Sequence, residues 1–405
     1  MADISKGKNP FNPGQPVPGE LFVGRAEQID RIITRGVKQV ALGKPVAMFV
    51  EGEYGIGKSS IAGFVQWLAE KDYGLHGVYA TLGGAKDLSD VARAILEATI
   101  RSGAFDPKRS EKIKNWLADY IGKQELFGVT LNLDALKRDA PNLSTPFGLL
   151  GFLGQARECL EETGVKGVFL VLDEINGITA DPHFAHFMKG LVDTSALSRE
   201  PLPLLLMLCG VEERRHEMIQ KHQSVGRIFD VIDIEVMSKD EMEEFFTRAF
   251  ESAHMTVDLK AMEILTLHSA GLPKIMHLVG QEAYWIDGDG VIDADDAITA
   301  VLATAGQVGK KFVDQQVYKA LRSEDYRSIL AKIAKLDPKT MGFSKAQVAQ
   351  GLTDPEKRKF NNFLQKMKKL NVIKPGDVDG EWVFSSRMVR LYIWLDHLHK
   401  PRKAN

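Results

Sequence analysis

Eight residues, Gly52-Glu53-Tyr54-Gly55-Ile56-Gly57-Lys58-Ser59, meet every fixed position of the pattern GxxxxGK[ST]. Chemistry suited to this spacing is the holding of a polyphosphate. The glycines let the backbone pass close to phosphate oxygens. Successive N–H groups, with a helix N-terminus behind them, turn positive charge toward the β-phosphate. Lys58 adds a mobile ammonium for the β and γ oxygens, the Ser59 hydroxyl is a magnesium ligand, and Ser60 follows in the same turn. More than a hundred residues on, VFLVLDE ends an apolar run with Asp173 and Glu174. Beside the phosphates, Asp173 would hold Mg²⁺ through water and Glu174 would orient or deprotonate the attacking water. An acidic pair at a strand end is a weak signal alone and a strong one beside Lys58 and Ser59.

The elements around these residues suit that task. PVAMFVEG, from Pro45, reads as a buried strand, and KSSIAGFVQWLAEK carries helical periodicity, so the loop sits between strand and helix. HGVYATLG reads as a second strand. Helices are expected over 88–101, 109–122 and about Thr145–Thr163, with FGVTLNL as a small strand or hairpin arm. GVFLVLDE reads as a central parallel strand, expected as a parallel neighbour of the phosphate-loop strand. PLLLMLCG and DVIDIEV are further strands. This alternation predicts a doubly wound α/β core over 1–237. From Ser238 the pattern turns helical, with four short helices over 238–309. A long helix, Gln315–Leu336, then opens the region 310–405. FSKAQVAQGL, EKRKFNNFLQKMKKLNVI, a Gly-turned hairpin and a last amphipathic helix follow, which is winged-helix order.

Together these motifs resemble the AAA+ P-loop ATPases, within the group of origin-recognition initiators, STAND ATPases and archaeal ATPases. The opening Pro10-Phe11-Asn12-Pro13 … Phe22-Val23-Gly24-Arg25 is similar to that group's PFxPGxPV…FVGR segment. The resemblance covers nearly the whole chain. It implies an AAA+ core, a helical lid and a winged helix, with Mg²⁺-dependent hydrolysis of ATP to ADP between core and lid. It also implies that the opening segment wraps the adenine through Phe11, Pro13, Val23 and Gly24. Arg227 occupies the place of an arginine finger, which serves a neighbouring subunit and implies self-association. Gly271-Leu272-Pro273-Lys274 matches the lid's GxP, with Lys274 where the group has an arginine that reads the γ-phosphate. One departure concerns the strand PLLLMLCG. Related proteins end it with Asn, Ser or Thr, whereas this chain offers Cys209, Gly210, Glu212 and Glu213. Cysteine is a poor donor, which implies slow turnover or dependence on a partner.

Composition excludes other classes. With 405 residues, 44% of them hydrophobic, the chain can form two or three domains with sizeable cores. No run approaches the ~20 apolar residues of a membrane span, and the N-terminus lacks a signal-peptide core. Two cysteines, Cys159 and Cys209, make neither a disulfide framework nor a metal set, so a reduced, cytoplasmic location is expected. The net charge of −2 conceals +11 over 310–405 and −13 over the rest. Such a split often marks a module that meets a polyanion, although two oppositely charged domains docking on each other would also produce it. Lys357, Arg358, Lys359, Lys366, Lys368 and Lys369 gather on one helix, with Lys345 before it and Lys374 at the hairpin. Duplex DNA is the expected partner, bound chiefly through phosphate, since only Asn361, Asn362 and Gln365 are obvious base readers. Asp377 and Asp379 in the hairpin loop oppose that contact. Two functions fit: an ATP-driven switch assembling on DNA (initiation, transposition or mobile-element defence), or a STAND-like nucleotide-gated scaffold whose winged helix binds protein.

Overall fold

Five strands between residues 46 and 233 pair side by side in one parallel sheet. They are β1 (Val46–Glu51), β2 (Leu75–Thr81), β3 (Gly167–Asp173), β4 (Leu204–Gly210) and β5 (Asp230–Asp233). Their order is β2-β3-β4-β1-β5, every pairing parallel. Both β3 and β4 are buried at every position, as continuous Leu/Val/Phe runs are when neither face meets water. One expectation is corrected here. β3 is not the neighbour of the phosphate-loop strand β1, because β4 inserts between them. The computed structural model describes residues 6–14, 22–103, 106–121, 142–337, 340–376 and 378–399. The expected strand or hairpin arm FGVTLNL lies outside them.

Parallel strands require crossovers, and helices supply them. After α1 (Ala26–Ile32) and α2 (Lys38–Ala41), which precede β1, the crossovers are made by α3 (Lys58–Asp72), α4 (Leu88–Arg101), α5 (Pro107–Ile121), α6 (Pro146–Cys159), α7 (Pro182–Leu197) and α8 (Glu212–Lys221). Asp87, Thr145 and Asp181 cap α4, α6 and α7 through their side chains. The sequence pattern does not single out α8, which buries only Met218 and so has little apolar periodicity to read. Phe49, Phe152, Leu170, Phe184 and Leu208 belong to one core cluster.

The chain divides into two compact units, Gln15–Val236 and a second that joins Met1–Gly14 to Met237–Asn405. In the second, α9 (Lys239–Ser252), α10 (Leu259–Ser269), α11 (Pro273–Ile286) and α12 (Ala294–Val308) are the four helices expected. Two-residue strands β6 (Thr256–Val257) and β7 (Val291–Ile292) tie them by a parallel bridge. The N-terminal arm docks on these helices. Phe11 is buried against Phe245, Phe250 and His277, and the absence of a Cβ at Gly280 makes room for its ring. The Asn12 N–H donates to His277 Nδ1 (3.2 Å), Tyr284 donates to the Gly7 carbonyl (2.6 Å), and Lys6 pairs with Asp287 (3.1 Å).

After α12 a π-helical stretch, Gly309–Tyr318, leads to α13 (Glu324–Ala334). The single helix expected over Gln315–Leu336 is therefore split. The break has a local cause: Ser323 is extended, acidic residues open the new helix, and Arg327 Nε donates back to the Leu321 carbonyl (2.9 Å). β8 (Gly342–Ser344), α14 (Lys345–Ala349), α15 (Asp354–Lys369), β9 (Ile373–Pro375), β10 (Glu381–Phe384) and α16 (Arg387–His399) follow. The three strands form an antiparallel sheet in the order β8-β10-β9. A separate core of Phe343, Phe363, Leu364, Trp382 and Ile393 lies beneath it. Among the described residues no helix is long and apolar enough to cross a membrane.

Candidate functional site

The loop after β1 has the backbone a phosphate cradle requires. Gly52, Gly55 and Gly57 all have positive φ, at 153°, 81° and 101°. At Gly52 a Cβ would stand 2.6 Å from the Ile234 carbonyl oxygen, so no other residue fits without displacing the backbone. Gly57 caps α3, whose first residues are Lys58, Ser59 and Ser60, all half-buried. Ile56 pins the loop inward at 1% exposure, while Glu53 and Tyr54 face outward. Arg25, which follows the buried Val23 and the positive-φ Gly24, braces the loop from behind. Its guanidinium donates to the carbonyls of Ile56 (3.3 Å) and Glu235. Below the loop, Glu51 is buried and held by Arg215 of α8 through two bonds, at 2.6 and 2.9 Å.

Lys58 arches over this loop, donating to the carbonyls of Gly52 (2.9 Å) and Glu53 (2.8 Å). Burial draws its ammonium below the usual lysine range, and the negative charge of Asp173 and Glu53 opposes that shift. Across β4, Asp173 is fixed by two donors. Its Oδ2 accepts the Tyr79 hydroxyl at 2.6 Å, and its Oδ1 accepts the Glu174 N–H at 2.8 Å. The Tyr79 oxygen also lies 3.4 Å from the Ser59 carbonyl oxygen, so one phenol spans the two residues expected to meet the metal. Burial, reinforced by Asp173, keeps that phenol protonated far above the ordinary tyrosine range.

Glu174 is exposed and sits at φ 56°, a strained backbone for a non-glycine residue. Gly83 leaves the space its carboxylate occupies. Cys209, at the end of β4, is fully buried, and burial pushes its thiol well up. No hydroxyl or amide stands at that position. The oxygen donors of Ser59 and Asp173 suit Mg²⁺, which takes one or two protein oxygens and completes its shell with phosphate and water.

The remaining expected residues fall elsewhere. Arg227 is exposed on the 3₁₀ turn Gln223–Arg227 just before β5. Pro273 opens α11, and Lys274 next to it is exposed. In the second unit, Phe11 is 1% exposed and Pro13 half-buried. On α15, Lys357, Arg358, Lys366, Lys368 and Lys369 are exposed, while Phe360, Phe363, Leu364 and Met367 face the core. Lys359 is ion-paired with Asp325 of α13. Lys345 lies over the Trp382 ring, 6.0 Å from its centre, and Lys374 is exposed on β9. Sequence reasoning assigned no role to Tyr79, Arg25 or Arg215. The available signal was a polar tip or charge beside an apolar strand, which names no partner.

No family model matches the chain, and no curated protein matches it. Solved structures do. A Walker-type ATPase of Pyrococcus abyssi aligns at 16% identity over 92% of this chain and 96% of its own, with a TM-score of 0.52. The ORC2 protein of Aeropyrum pernix, in its ADPNP–ADP complexes, aligns at 14% identity over 96% of both chains, with a TM-score of 0.60. At such identities a likeness spanning almost the entire length is one of fold: the chain shares the α/β fold of the Walker-type ATPase and ORC2 structures.

Proposed function

We propose that the chain binds ATP with Mg²⁺ at Gly52–Ser60 and hydrolyses it slowly, as a switch whose nucleotide state governs assembly on DNA. The observation that carries this reading is the pairing of a positive-φ phosphate loop with Asp173, whose carboxylate accepts the Tyr79 hydroxyl close to the Ser59 backbone. The structural likeness to ORC2, a protein seen with ADPNP and ADP, agrees with it.

In this reading the N–H groups of the loop and of the first turn of α3 hold the β-phosphate. Lys58 exchanges the Gly52 and Glu53 carbonyls for phosphate oxygens, so its ammonium is already aimed when nucleotide arrives. Ser59 and Asp173 would hold Mg²⁺. That ion supplies neutralisation of the charge that builds on the phosphate oxygens. Glu174 takes the proton of the attacking water. Cys209 offers that water no strong hydrogen bond, which makes turnover slow. Arg227 serves a neighbouring copy by stabilising transition-state charge, and Lys274 senses the γ-phosphate through charge without an arginine's fork. Phe11, Pro13, Val23, Gly24 and Pro273 are assigned to the nucleotide by the resemblance in sequence.

Residues 310–405 are read as a winged helix that meets duplex DNA with α15. Support comes from the exposed cations of α15 over a separate apolar core. A second reading, a nucleotide-gated scaffold that binds protein, draws on the Lys359–Asp325 pair, which removes one cation from that face. ATP hydrolysis with and without duplex DNA separates the two, using the full chain and a Lys366→Ala/Lys368→Ala/Lys369→Ala variant. The switch predicts DNA stimulation that weakens in the variant and falls steeply with salt. Hydrolysis indifferent to DNA, with ATP-dependent assembly intact, favours the scaffold.

A further inference from the structure

We propose that Tyr79 is a positioning residue for the metal-binding carboxylate: its hydroxyl fixes Asp173 against the first turn of α3 before nucleotide and metal arrive. This rests on the phosphate-site reading above and adds to it a residue outside every motif.

The argument begins with register. Tyr79 of β2 pairs with Val171 of β3, two residues before Thr81 pairs with Asp173. Side chains two apart on neighbouring parallel strands project to the same face of the sheet, which brings the phenol to the carboxylate. A half-buried phenol seeks a polar partner, and this one gives its single proton to Asp173 Oδ2 at 2.6 Å, with the Ser59 carbonyl oxygen farther off at 3.4 Å. With Oδ1 engaged by the Glu174 N–H, both carboxylate oxygens have a donor and the rotation of the group is set. The central strand provides no such donor, since β4 ends in the fully buried Cys209 and Gly210. The hydroxyl comes instead from the opposite side of β3. Hydrogen bonds that orient a metal ligand typically change metal affinity by about 10–100-fold when removed.

The test compares wild-type protein with Tyr79→Phe, which keeps the ring and deletes only the hydroxyl. Mn²⁺ is titrated into each protein at saturating ATP, with free Mn²⁺ read by electron paramagnetic resonance. ATP binding in EDTA and thermal unfolding are measured alongside. The expected result is a half-saturating Mn²⁺ concentration raised about 10–100-fold in Tyr79→Phe, with ATP binding in EDTA unchanged. Equal Mn²⁺ affinity in the two proteins would overturn the proposal. A matching loss of ATP binding in EDTA would overturn it too, because the tyrosine would then be supporting the loop rather than the metal carboxylate. Wild-type protein that binds no ATP in either condition would overturn the phosphate-site reading itself, a different failure from the first two.

Discussion

Lys58, Asp173 and Glu174 have three different surroundings, and these match the three tasks proposed for them. Lys58 is already bonded to loop carbonyls that phosphate oxygens would replace. Asp173 is buried and held by two donors, which suits a ligand that must not move. Glu174 is exposed at a left-handed φ, with space reserved by Gly83, which suits a group that must reach water. The pair is therefore not interchangeable. Replacing Glu174 by Gln keeps its shape and removes its basicity. General-base loss costs about 10²–10⁴-fold in rate, so Glu174→Gln is expected to bind ATP like wild type and hydrolyse it at least about 10²-fold more slowly. Single-turnover kinetics read this. An undiminished rate would show that the proton goes elsewhere.

The elements differ in how much of them the sequence discloses. Strand, loop and helix around Gly52–Ser60 are local, so glycine spacing and periodicity are enough to find them. Sheet order is a long-range property, and nothing in the sequence near β3 tells that β4 separates it from β1. For the same reason the sequence does not single out Tyr79, whose hydrogen-bond partner lies 94 residues away. The break before α13 is settled by a side chain returning to a backbone carbonyl, which a helical pattern cannot register. The arm carrying Phe11 makes a further case. Its Pro-rich composition suggests only an extended strap, while its seat depends on His277 and Gly280, both far along the chain.

That seat makes a prediction about pH. Burial draws His277 down to about 4 from 6.5, and burial aided by Arg109 does the same for His76. Both are therefore neutral in the folded chain. The unfolded chain binds these protons first as pH falls below 6.5, so the stabilisation is whole above 6.5 and diminishes down to about 4. Each shift corresponds to something on the order of 3 kcal/mol. Urea unfolding at about pH 7 and about pH 4.5 should show a clear loss of stability, shallower in His277→Gln. Equal slopes in the variant and the wild type would mean that His277 is not held neutral by burial.

At the scale of the whole molecule, charge is unevenly divided along the chain. Residues 310–405 carry +11 while the remainder carries −13, so the cations that would face a polyanion are segregated from the acidic body that holds the phosphate loop. In the proposed reading, nucleotide phosphate would be met by backbone N–H groups and one lysine, and DNA phosphate by clustered exposed lysines on α15. Everything in this arrangement depends on occupancy of the first site. Equilibrium binding of ATP in the presence of Mg²⁺, measured by calorimetry on the wild-type chain and on Lys58→Ala, tests that most directly. Saturable binding by the wild type, weakened by about tenfold or more when the charge-assisted contacts of Lys58 are lost, is the predicted result. Binding unaffected by the substitution, or no binding by the wild type, would contradict the account.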